Sequence, residues 1–182
     1  ESFAATVTCP ARPGRIVLEV LASDSSGPMV AGIFPVYCGV RPPTSVVVDE
    51  LELGGYTDLA DAERQVFTRL NADRAAANLP ALTWSDEAAA VARAHSQDMA
   101  TGGFFAHVSP THGDFEARTA TLSGRATGEN IGMGQSPAAI QSSLMGSPGH
   151  RGNILSPDFT ELGVGAASNA DGLYITQIFR AP

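Results

Sequence analysis

SPGHRGNIL, residues 147–155, is the stretch on which the reading of this chain turns. Ser147 is a helix cap by residue type, and Pro148 suits the first helical position because its missing N–H is not needed there. His150 then falls in the first turn, where free backbone N–H groups and the helix dipole favour an anion. Arg151 follows, and Asn153 adds an amide before the apolar pair Ile154 and Leu155. Two earlier stretches place an ionisable residue beside small or turn-forming neighbours: FFAHVSP (104–110) with His107, and GENIG (128–132) with Glu129 and Asn130. Two imidazoles and a carboxylate can bind a metal or move protons. Separations of 22 and 21 residues match no local metal-ligand motif, so spacing alone assigns no metal.

Outward from this stretch the chain has two grammars. From residue 58 a helical period holds: Leu59, Ala62, Val66, Phe67, Leu70 and Arg74 trace one face behind a cap at Thr57 or Asp58, and Pro80 ends the region. Ser85 caps a second helix, DEAAAVARAHSQDMA, which stops at Gly102-Gly103 and carries His95, by type a packing or surface histidine. Residues 104–135 read as Gly-rich and irregular, broken by a short helix near 114–123; His112 there reads as a solvated turn residue. Ser136-Pro137 opens another helix, and ELGVGAA with GLYITQIF predicts a closing hairpin through SNAD.

Before the Gly54-Gly55 break the period is that of strands. FAATVTC (3–9), RIVLEVLA (15–22), GIFPVYC (32–38) and TSVVVDELEL (44–53) predict a small sheet or partial sandwich, a β module over 1–54 ahead of a main domain over 55–182. Cys9 and Cys38 are the only cysteines. A bridge between them would staple this small segment in an oxidising compartment and stabilise it by roughly 3 to 4 kcal/mol. Two free thiols are the alternative.

The 182 residues suffice for one ordinary domain and a small companion. Hydrophobic content is 43% without a long apolar run, so no transmembrane helix is expected, and no signal peptide is visible, a segment that a mature or trimmed chain would have lost. All eleven basic residues are Arg, and the net charge is −8. An acidic chain without a basic cluster argues against nucleic acid and against an anionic membrane surface.

Taken in order, LNADRAAANLPALTWSDEAAAVARAHSQDMA, FFAHVSP, GENIG, SPGHRGNIL, FTELGVG and LYITQIF resemble the CAP superfamily of cysteine-rich secretory proteins, antigen 5 and pathogenesis-related proteins, in its bacterial SCP-like branch. The likeness spans about 58–180. It implies an α+β fold, an α-β-α sandwich with helices flanking an antiparallel sheet, in a secreted, extracellular or cell-envelope protein. It also implies a cavity lined by His107, Glu129 and His150, supported by Ser147, Asn130, Arg151 and Asn153. A second Glu that many relatives carry before the last His is replaced here by Ser147, which leaves less charge to hold a metal.

These residues suit Zn²⁺ or another divalent cation weakly, and no cofactor is required. The expected function is a binding or assembly module at the envelope, its partner a small molecule, a lipid or an envelope component. The competing reading is an extracellular, metal-assisted hydrolase or protease. There is no GxSxG or HExxH, and Ser109 and Ser147 are explained as turn and cap residues.

Overall fold

Strand β5 (Glu161–Asn169) meets helix α2 (Asp86–Gly102) almost backbone to backbone. A Cβ on Gly163 would stand 2.1 Å from the Ala89 nitrogen, and one on Gly165 2.1 Å from that of Arg93. Ala88, Ala89, Ala92 and Ser96 form the matching small face of α2, all fully buried. The Ser96 hydroxyl donates to the Gly165 carbonyl at 3.0 Å. No larger residue fits at those two glycines. The computed structural model describes residues 4–25, 27–45, 55–124 and 126–181.

β5 belongs to a four-stranded sheet with β3 (Thr83–Trp84), β4 (Ala126–Gly134) and β6 (Gly172–Ala181), in the order β3-β5-β6-β4. The three long strands are antiparallel, and the two-residue β3 joins β5 in parallel. Alternation along β6 divides the core: Leu173, Ile175 and Phe179 face one way, Tyr174 and Ile178 the other. The first set packs with Val66 and Leu70 of α1 (Leu59–Ala76) and with Ile140 and Leu144 of α4 (Pro137–Gly146). The second packs with Met99, Ala88 and Ala92 of α2. The result is an α-β-α sandwich.

The helix ends follow the residue types. Asp58, Ser85 and Ser136 accept from backbone N–H groups three residues on, and Gly103 ends α2 at φ 64°. Ser147 does the same for α5 (Pro148–Ile154) by accepting from the His150 N–H. Buried Arg74 fixes the far end of α5, donating from Nη1 to the carbonyls of Ile154 and Ser156, both at 2.8 Å.

Two expectations need correction. The stretch 104–135 is not irregular to its end, because 126–134 forms β4 along β6. Its glycines hide the strand pattern and serve packing: a Cβ on Gly132 would meet Ile140 at 2.5 Å. At the N-terminus only β1 (Gly14–Asp24) and β2 (Gly27–Cys38) form among the described residues, as an antiparallel hairpin with a register shift between Val20 and Leu21. Residues 4–9 form no strand and are exposed; Cys9 is held by its disulfide to Cys38, not by a ladder. Of the predicted strand 44–53, residues 46–53 lie outside the described residues, and 44–45 are not in a strand.

Candidate functional site

Glu129 sits on edge strand β4 opposite Ile178 and is 8% exposed. A carboxylate so buried must be paired to stay charged. His107 meets its Oε1 through Nδ1 at 2.8 Å. Arg118 grips it with two nitrogens, Nη1 to Oε2 at 2.8 Å and Nη2 to Oε1 at 2.9 Å. The same Nη2 donates to the His107 carbonyl at 2.7 Å, so one guanidinium fixes both the acid and the loop that carries the histidine. Arg118 comes from α3 (Phe115–Thr119), a single turn capped by Asp114. Burial pushes Glu129 up, but the hydrogen bonds from His107 and Arg118 outweigh it and hold the group below the ordinary carboxylate value.

The loop before β4 is anchored on α2. His95 is 1% exposed, and its Nε2 meets the Ala106 carbonyl at 3.0 Å. Burial drives its pKa down to about 4, with Glu129 opposing, so the ring is neutral and Nε2–H is the donor. The Ser109 hydroxyl donates to Asp98, which also accepts from Thr111 and lies 3.2 Å from the exposed His112.

Behind Glu129 runs a chain of amides. Asn153 donates to the Glu129 carbonyl at 3.2 Å and to Asn130 Oδ1 at 2.9 Å. Asn130 donates to the His150 carbonyl at 3.1 Å and to Gln177 at 3.0 Å. Gln177 passes a bond to Gln141, and Gln141 one to Asp73, each at 2.8 Å.

His107, Glu129 and His150 line one cavity of about 300 Å³, with Ser147, Asn153, Phe105 and Ile131. Asn130 backs it from the core. Arg151 does not take part; its Nη1 lies 3.4 Å from the Met145 carbonyl. Burial lowers the His150 pKa below the ordinary histidine value, Glu19 opposing and His107 reinforcing the shift. Glu19 belongs to the hairpin: its carboxylate accepts from the Ser147 hydroxyl and, at 2.9 Å, from the Gly149 N–H. Sequence reasoning missed Arg118 and Glu19. The first carries no motif, and the second stands in a strand-like run with nothing to mark it.

The Glu129 carboxylate is not free for a metal ion. Both Glu129 oxygens are taken by Arg118 and His107, and among the described residues no three His, Cys, Asp or Glu side chains are grouped to hold a cation. Nor does either of these serines stand ready as a nucleophile, since Ser147 donates to Glu19 and Ser109 to Asp98.

This sandwich, with a His/Glu cavity at its sheet edge, defines a class. Residues 67–179 match the CAP: Cysteine-rich secretory protein family, and the chain belongs to that family. It is 41% identical over 106 residues to the Uncharacterized protein YkwD of Bacillus subtilis (strain 168), a match covering 57% of this chain and 41% of that protein. An extracellular protein containing a SCP domain from Bacillus anthracis str. Ames is similar in structure, with TM-score 0.60 and 30% identity over 82% of this chain and 47% of that one. An outer surface protein from Borrelia burgdorferi shares the fold, with TM-score 0.62 and 16% identity, over 70% of this chain and 98% of that one. The chain thus spans less than half of the two Bacillus proteins. It is an SCP-like CAP protein of bacterial type with an extracellular structural neighbour, and no helix among the described residues is long and apolar enough to cross a membrane.

Proposed function

We propose that this chain is an extracellular or envelope binding module whose ligand enters the cavity beside His107, Glu129 and His150. The observation that carries this reading is the bidentate Arg118–Glu129 pair with His107 on the same carboxylate. An acid held this way is kept ionised and immobile, which suits a recognition wall and not a group that must give and take protons. The neutral His150 and the apolar side chains of Phe105 and Ile131 favour an amphipathic small molecule, of lipid or envelope origin, with a polar end toward the two histidines.

The hydrolase reading needs a nucleophile within reach of an oriented base, and Ser147 and Ser109, the serines weighed for that role, are bonded to carboxylates instead. The test is a two-arm experiment on the full chain. Histidine ring resonances are followed by NMR during titration with envelope lipids and short amphipaths, beside release assays on p-nitrophenyl esters and casein. Saturable shifts at His107 and His150 without turnover support binding. Turnover that is lost in His150→Ala would replace this reading with the hydrolase.

A further inference from the structure

The cavity is not made by the CAP sandwich alone. Its other side is the N-terminal hairpin, which contributes Glu19, Leu21, Pro28, Met29 and Val30. A second void of about 220 Å³ continues beneath Val30 and Ile33, against Ile131, Ile140 and Leu144. The hairpin turn also borders the site, since a Cβ on Gly27 would lie in van der Waals contact with His107 Cβ at 3.5 Å.

Two features separate this contact from ordinary core packing. A layer that belonged to a core would close on what it covers, yet the hairpin leaves two pockets open to solvent along its contact with the sandwich. Its apolar side chains there also stay wet: Leu21 is 59% exposed, Met29 48% and Ile33 38%. What does fit closely is polar. Glu19 reaches across to Ser147 and Gly149, and a Cβ on Gly149 would stand 3.0 Å from Glu19 Oε2, so a glycine there gives the carboxylate its room. A layer open along its edges and seated on its neighbour through the Glu19 carboxylate behaves as a cover, not as a wall.

We propose that the β1–β2 hairpin is a releasable cover over the His107/Glu129/His150 cavity, clasped shut by Glu19 on Ser147 and Gly149, and that opening it exposes the cavity. This deepens the binding reading and rests on it for purpose, but not for its test.

The test is carbethoxylation of the full, oxidised chain by diethyl pyrocarbonate, with each histidine read by peptide mass spectrometry. His112 is the exposed reference and His95 the buried monitor of folding. Glu19→Gln keeps the shape of the clasp and removes its charge. It should raise the rates at His107 and His150 about tenfold, the change in open population that about 1.4 kcal/mol produces, with His112 unchanged and His95 protected. Amide exchange at Gly149 should quicken in the same variant. Unchanged rates at His107, His150 and Gly149 would overturn the cover and make the hairpin a fixed wall. Should Glu19→Gln expose His95, Ser147→Ala is read by the same two outcomes. No ligand is involved, so unchanged rates leave cavity binding standing. Conversely, a ligand titration of Glu19→Gln that shows no shift at His107 or His150 removes the binding reading and leaves the cover intact.

Discussion

The sandwich and the hairpin solve the same problem, burying apolar side chains, with opposite success. In the sandwich β5 and β6 are covered on both faces, and Leu162, Val164, Ile175 and Phe179 are fully buried. The hairpin has two strands and no helix of its own, and its Leu21, Ile33 and Phe34 remain exposed. A two-stranded ribbon is marginal by itself in water. It persists here through a disulfide at its base and a carboxylate seated on its neighbour. One region is therefore specified by packing, the other by a few discrete ties.

The contrast breaks most visibly at the helix–sheet contact. Gly165→Ala puts a Cβ 2.1 Å from the Arg93 nitrogen, which nothing flexible can relieve, and should cost about 4 kcal/mol or more in urea unfolding. Next comes the pair beneath the cavity. Arg118→Met strands the Glu129 carboxylate with His107 alone and should cost about 3 kcal/mol; a loss below about 1 kcal/mol would mean that the guanidinium is not what keeps the acid charged.

Acid tests the same body more gently. His95 titrates near 4 in the folded chain against an ordinary 6.5, so the unfolded chain binds the extra proton between those values. Stability is full above about 6.5 and falls as pH drops toward 4, by about 2 kcal/mol at pH 4.5. The lowered pKa of His150 acts in the same direction. In His95→Gln the fall between pH 6.5 and 4.5 should shrink markedly; an unaltered slope would assign the acid sensitivity elsewhere.

The smallest effects belong to the hairpin and to metal. Replacing Cys9 and Cys38 by Ser should shift the main unfolding transition by less than about 0.5 kcal/mol while the hairpin amides lose protection, because the bridge joins two residues of the N-terminal segment and none of the sandwich. A larger shift would join the two regions into one cooperative unit. Zn²⁺ added at neutral pH should leave the His107 and His150 ring resonances in place, since Glu129 is already committed to Arg118. Saturable movement of both rings would restore the metal reading.

Much of the sandwich was legible because helix ends are written locally. Asp58, Ser85, Ser136 and Ser147 cap where their types say, and Arg74 lies on the buried face its period predicts. β4 was hidden because the glycines that admit Ile140 and Leu144 carry no strand preference of their own. His107, Glu129 and His150 were nominated by motif, but nothing local shows that Arg118, eleven residues from two of them, would take the carboxylate. Glu19 was out of reach altogether. Its role depends on how a separate ribbon lies across α5, a relation that no period or spacing encodes.

The amide chain from Asn153 through Asn130, Gln177 and Gln141 has a consequence of its own. Amide side chains neither gain nor lose a proton over any pH a living surface meets. The backing of the cavity, which Asn153 carries to its lining, is thus indifferent to acidity, while His150 in the wall is not. An acidified surrounding would change what the pocket says to a visitor without changing where the pocket is.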